Sequence, residues 1–162
     1  MKNLVAAIAS FILLQQAPVK LSAQTVGANE VPKRVVQSHS KKFPDSEIKK
    51  WEIRHDGYIA LFKSNGKKHT AYYTPEGHWK ATESAVKWTR HLPEAVKEGW
   101  KNSGYYTWYV HNMKKIETDG QRMYVLHVHN GPTLDVNKID AFGENHVLYF
   151  TREGKLLRTE RI

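Results

Sequence analysis

The 162-residue sequence contains no cysteine. Disulfides, thiol nucleophiles and cysteine-based zinc sites are therefore excluded, and stability has to come from packing. No glycine-rich phosphate loop and no His-Glu-x-x-His pattern occurs, and Ser38, Ser40, Ser64 and Ser84 stand in no nucleophile-elbow context. Neither a catalytic residue nor a cofactor is expected. Long runs of like charge are missing too, because the cations come in scattered pairs: Lys41-Lys42, Lys49-Lys50, Lys67-Lys68 and Lys114-Lys115. A formal net charge of +9 spread in this way reads as solvated faces with some attraction to anionic surfaces, and no nucleic-acid partner is expected.

Long apolar runs are scarce as well. Leu4 to Leu14 is an 11-residue stretch, too short to cross a bilayer core of about 30 Å at about 1.5 Å per residue. With Lys2 before it and Leu21-Ser22-Ala23 behind, residues 1–23 read as a secretory signal peptide cleaved after Ala23, with Ala28 as the second option. No cysteine follows the run, which excludes a lipid anchor at that point. The expectation is export to the periplasm or beyond, with no transmembrane segment once the leader is removed. A bacterial periplasm suits an exported chain without disulfides better than a eukaryotic extracellular setting does.

What remains is about 139 residues, enough for one compact domain or two intertwined repeats with a shared core. Residues 24–30 are short and polar and read as a flexible lead-in. Val31, Val35, Val36 and Phe43 then recur at helical spacing behind Pro32, predicting a helix over 32–42 that Phe43-Pro44 stops. Residues 48–54 alternate as a strand, Asp56-Gly57 turns the chain, and Tyr58 to Lys63 is a second strand. Asn65-Gly66 and Pro75-Glu76-Gly77 are the next two turns, before a third strand over 68–74 and a fourth over 78–83.

The pattern returns further on. Leu92-Pro93-Glu94-Ala95-Val96 parallels Val31-Pro32-Lys33-Arg34-Val35, predicting a second helix with Ala95, Val96 and Trp100 inward. The strands MYVLHVHNG and HVLYFTREGKLLRT follow, and Phe150 to Lys155 echoes Tyr73 to His78. The fold class expected is α+β: two tandem repeats, residues 31–84 and 92–162 joined by a linker over 85–91, each a helix plus a four-stranded antiparallel meander, helices on one face of the sheet. The second repeat carries an insertion near residues 130–143, the one irregular loop.

With both halves in view, the chain resembles the PepSY-like family of exported bacterial proteins that share the fold of the β-lactamase inhibitory protein. Val31-Pro32, Lys41-Lys42-Phe43-Pro44, Trp51-Glu52, Gly57-Tyr58, Asn65-Gly66-Lys67 and Tyr73 with Gly77 carry the resemblance first. Asp119-Gly120, Tyr124, Phe150 and Gly154-Lys155 carry it again. The resemblance implies helices over one side of an antiparallel sheet, an open opposite side, and a non-catalytic, inhibitor-like or binding role. It does not bring β-lactamase inhibition with it, since no residues here match an inhibitory loop.

If Ala60 and Phe62 face the helices, alternation places Tyr58, His69, Ala71, Tyr73, Tyr124, Leu126, Val128, His146, Leu148 and Phe150 with them. The other side then receives Ile59, Leu61, Thr70, Tyr72, Val125, His127, His129, Val147 and Tyr149. That is an unusually apolar and aromatic surface for solvent, and it is expected to dock an unknown periplasmic or cell-envelope protein or peptide through Ile59, Leu61, Tyr72, Val125, His127, His129 and Tyr149. The alternative expectation is a small ligand or metal held by His127 and His129, two imidazoles on one side of a strand, with His111, Asp135 or Asp140 as a third ligand.

Overall fold

The structure, a computed structural model, describes residues 24–131 and 143–162. The expected leader at residues 1–23 and most of the expected insertion, residues 132–142, lie outside the described residues. Eleven elements follow one another: β1 (Gln24–Val26), α1 (Lys33–Lys42), β2 (Glu47–Arg54), β3 (Gly57–Ser64), β4 (Lys67–Tyr73), β5 (Trp79–Ala85), α2 (Glu94–Lys101), β6 (Tyr109–Thr118), β7 (Gln121–His129), β8 (Asn145–Thr151) and β9 (Leu156–Arg161). Short 3-10 turns at Ala28–Glu30 and Thr89–His91 precede the two helices.

The turn chemistry acts as its residues dictate. Asn65 and Gly66 both take positive φ, 50° and 71°, the twist that a two-residue hairpin between β3 and β4 requires. Phe43 leaves helical geometry immediately before Pro44, at φ −131° and ψ 68°, because the proline ring crowds the preceding residue.

The expected pair of tandem helix-plus-four-strand repeats is overturned. One antiparallel sheet of nine strands runs in sequential order from β1 to β9, and the only α-helices among the described residues are two short ones of ten and eight residues. The physical reason is at the middle: β5 pairs directly with β6, from Ala81 opposite Thr118 to Ala85 opposite Lys114. Two separate meanders would each leave a bare row of backbone donors and acceptors at that edge, and pairing removes both rows. The expected flexible lead-in is also corrected in part. Gln24–Val26 adds a strand to the outer edge of β2, with Val26 opposite Trp51 and buried in the same apolar cluster.

Both helices lie on the same side of this sheet, over different ends of the strand order. Under α1, Val35 packs with Trp51, Ala60, Phe62, Ala71 and Tyr73. Under α2, Val96 and Trp100 pack with Tyr124, Leu126, Val128, Leu148 and Phe150. Ala95 is exposed, not inward as expected. Its carbonyl instead meets the β8–β9 turn, where a Cβ on Gly154 would stand 1.9 Å from the Ala95 oxygen.

His39 of α1 is buried among Phe43, Trp51 and Phe62. Its Nδ1 stands 2.9 Å from the Tyr73 hydroxyl and its Nε2 2.9 Å from Ser46 Oγ. Burial lowers its pKa from 6.5 to about 4, since the charged ring has lost its water.

Two predictions follow from these contacts. Gly154→Ala should destabilise the fold by at least about 2 kcal/mol in urea unfolding, because the added methyl strikes backbone at φ +84°. Gly66→Ala, at φ +71° but facing open space, should cost only about 1 kcal/mol, and equal costs would refute the close approach. For His39, the unfolded chain binds the proton more readily than the folded one, so stability falls as pH drops from 6.5 towards 4. The full loss is about 3 kcal/mol at about 1.4 kcal/mol per pH unit. Urea midpoints at pH 7 and pH 5 should therefore differ more for the native chain than for His39→Gln.

Candidate binding face and the cleft behind it

The register places all seven predicted binding residues on the sheet face that carries no helix. Ile59 stands opposite Tyr72 and Leu61 opposite Thr70, while Val125 stands opposite Tyr149 and His127 opposite Val147. His129 follows on the same side of β7. The face is less bare than the alternation suggests, however. Ile59, Val125 and Tyr149 are buried, at 3%, 0% and 4% exposure, while Leu61, Tyr72, His127 and His129 are half-buried.

Two features explain the burial without a covering layer of helices. Ala81, Ile116, Met123, Val125, Val147 and Tyr149 form one apolar cluster with Tyr72 packed against it, so the centre of the face shields itself across β4 to β8. Long charged side chains then frame it, their stems lying over apolar neighbours. Lys114 pairs with Glu83 at 3.1 Å and Lys50 with Glu52 at 2.9 Å. The Tyr149 hydroxyl donates to Glu160 at 2.9 Å, and the Arg158 guanidinium lies 4.2 Å over the Tyr149 ring. Burial, with Glu83 adding to it, pushes the Tyr72 hydroxyl well above the ordinary phenol range. Tyr149 moves in the same direction, chiefly through burial.

The three histidines of this face meet through a bulge. The β6 ladder slips between Val110 and Asn112, leaving His111 as the extra residue, and a bulge re-aims the side chains beside it. The His111 ring centroid lies 5.8 Å from that of His127 and 6.4 Å from that of His129. Burial lowers the His127 pKa, helped by Lys114 and His111. The Gly131 N–H donates to His129 Nδ1 at 2.8 Å, so the neutral ring carries its proton on Nε2 and turns no lone pair outward. Among the described residues no three His, Asp or Glu side chains stand together as a metal site. Asp135 and Asp140 lie outside the described residues.

A cleft of about 680 Å3 lies on the other side, lined by the C-terminal end of α1, by Trp79 and Thr82 of β5, and by the β6–β7 and β8–β9 turns. Thr82, Glu117 and Arg122 are successive cross-strand partners there. Arg122 Nε donates to Glu117 at 2.8 Å, and Lys115 stands 3.1 Å from the same carboxylate. Burial opposes ionisation of Glu117, yet these two cations outweigh it and hold the carboxyl below its usual range. Trp79 forms the far wall, donating from Nε1 to Thr82 Oγ1 at 2.9 Å under the Lys42 ammonium, 3.5 Å from the ring centroid. Sequence reasoning missed this cleft. The available signal was polar residues at Thr82, Glu117 and Arg122, positions whose register turns them to the helix side; the Lys42 to Trp79 contact left no local trace.

The described residues form a nine-stranded antiparallel sheet backed by two short helices, with one face covered by the helices and the other without them. The family described as "Putative beta-lactamase-inhibitor-like, PepSY-like" matches residues 56–158, and the chain belongs to that family. Among solved structures it is similar to a BLIP-like protein from Bacteroides fragilis NCTC 9343, at 22% identity and TM-score 0.69, covering 81% of this chain and 86% of that one. It is also similar to a "putative periplasmic" protein from Bacteroides eggerthii DSM 20697, at 22% identity and TM-score 0.67 with 82% and 89% covered. A DUF2874 family protein from Bacteroides ovatus ATCC 8483 matches at 23% identity and TM-score 0.68, with 80% and 86% covered. These likenesses establish the fold. No curated protein matches the chain.

The burial of Tyr149 sets a stability prediction. Tyr149→Phe removes the hydroxyl's hydrogen bonds with Glu160 and Arg158 and should cost about 1 to 2 kcal/mol. Tyr149→Ser also empties the centre of the cluster and should cost about 3 to 5 kcal/mol. Comparable unfolding midpoints for the two variants would show that the ring is not packed as described.

Proposed function

We propose that the protein is an exported, non-catalytic binding module that docks a protein or peptide of the periplasm or cell envelope on its helix-free sheet face, in an inhibitor-like manner. One observation carries this reading: an apolar nucleus from Tyr72 to Tyr149 lies on the side without helices and is ringed by the Lys50–Glu52, Lys114–Glu83 and Arg158–Glu160 ion pairs. Apolar centre and polar rim is the anatomy of a protein interface. Membership of the family supports a binding or inhibitor-like role, and a fold by itself assigns no target.

Export is supported by the N-terminal pattern of the sequence and by the periplasmic description of the Bacteroides eggerthii neighbour. No helix among the described residues is long and apolar enough to cross a membrane.

The contacts of such a partner fall on the half-buried residues that can still be reached, Leu61, Tyr72, His127 and His129. Leu61→Asp with His127→Glu should abolish retention of a specific envelope protein on the immobilised chain while leaving the unfolding midpoint within about 1 kcal/mol of the native value. Undiminished retention by this folded variant would reject the face.

A further inference from the structure

The two ends of the sheet differ sharply in charge. At one end lie the β2–β3, β4–β5, β6–β7 and β8–β9 turns together with the cleft, and there cations and carboxylates alternate: Asp56 pairs with Lys80 and Glu117 with Arg122. At the other end lie the β3–β4 hairpin, the exit of β5 and the entry of β6. Lys63 and Lys68 stand directly opposite each other there, with Lys67 next to them in the hairpin, and all three are exposed. Like charges opposed across a strand pair oppose folding.

The exit of β5 adds to this end. The Val86 N–H donates to the Met113 carbonyl at 2.9 Å, which carries the chain along β6 before Lys87 to His91 turns away in a 3-10 turn. Trp88 stands half exposed at 50%. Its ring is flanked by two cations, Lys87 Nζ at 5.9 Å and Arg90 Cζ at 5.6 Å from the centroid. None of Lys63, Lys67, Lys68, Lys87 and Arg90 makes a close salt bridge to a carboxylate among the described residues, and of the five Lys63 has Glu47 opposite it across β2 and β3. Tyr109, at the entry of β6, is 54% exposed.

From this juxtaposition we infer that the Trp88 end of the sheet is an adsorption site for an anionic phospholipid surface. Charge complementarity supplies the attraction, since Lys63, Lys67, Lys68, Lys87 and Arg90 share one end of the molecule, where among the described residues Glu47 faces Lys63 alone of the five. The half-exposed indole supplies the anchor, because tryptophan has an apolar body and a polar N–H and settles at headgroup level. Shape favours a plane over a threaded chain: the cleft lies at the opposite end, and the described residues around Trp88 are the β3–β4 hairpin and the 3-10 turn at Thr89–His91. Adsorbed in this way, the chain keeps both the docking face and the cleft directed along or away from the membrane. The inference stands independently of which partner the docking face takes.

Co-sedimentation with phosphatidylcholine vesicles, with and without phosphatidylglycerol, tests it. The protein should bind only the anionic vesicles and come off as salt is raised to about 1 M, where the screening length is about 3 Å. Each cation removed, as in Lys87→Ser and Arg90→Ser, should lower the partition coefficient about fivefold. Trp88→Ala should weaken binding at unchanged charge, and quenching by brominated acyl chains should be lost in Trp88→Phe. All variants share the native N-terminal segment, so any contribution from it cancels. Equal binding to neutral vesicles, indifference to Lys87, Trp88 and Arg90, or preferential binding to an acidic polysaccharide in competition would each overturn the proposal.

Discussion

The pairing of β5 with β6 is the interaction on which this molecule depends. Without it, each half would be a short meander with an unpaired edge and a helix over one side, and neither would bury enough apolar surface to be secure. With it, Ala81 and Ile116 join Met123, Val125, Val147 and Tyr149 in a cluster that crosses the junction. The helix-free face thereby acquires its own core. The seam does the reverse on the other side: Thr82, Glu117 and Arg122 lie between the areas that α1 and α2 cover, so the same pairing that makes one face apolar leaves a polar cleft behind it.

The helices are held by close backbone approach as much as by side chains. Gly77 lies against the Arg34 carbonyl and Gly154 against the Ala95 carbonyl, so each helix rests on a turn that only glycine makes thin enough. Beneath α1, His39 joins Tyr73 of the sheet to Ser46 beyond the helix. A buried neutral imidazole of this kind links the stability of the first core to pH. The second core is apolar and aromatic at the corresponding depth, with Trp100 donating to the Tyr105 carbonyl at 3.2 Å.

The two proposed roles divide along the same geometry. In the proposed reading, binding through the helix-free face would rely on residues at the margin of a self-sealed cluster, and so on Leu61, Tyr72 and the histidines, with Val125 and Tyr149 as support. The basic, tryptophan-bearing end needs neither that face nor the cleft. Separation of this kind would let one small domain be held at a surface and still present its sheet to a partner.

Much of this was legible in the residues. Asn65-Gly66 fixed a hairpin, Phe43-Pro44 a helix stop, and the alternation from Tyr58 to Tyr73 and from Tyr124 to Phe150 divided the strands correctly between two faces, because turn geometry and side-chain period are local properties. The sequence could not say that two similar stretches merge into one sheet, that Gln24–Val26 pairs with β2, or that the apolar face closes on itself. Those outcomes depend on which edges meet and which long side chains fold over their neighbours, and contacts such as Lys42 with Trp79 or Arg158 with Tyr149 come into being only when distant strands are laid side by side.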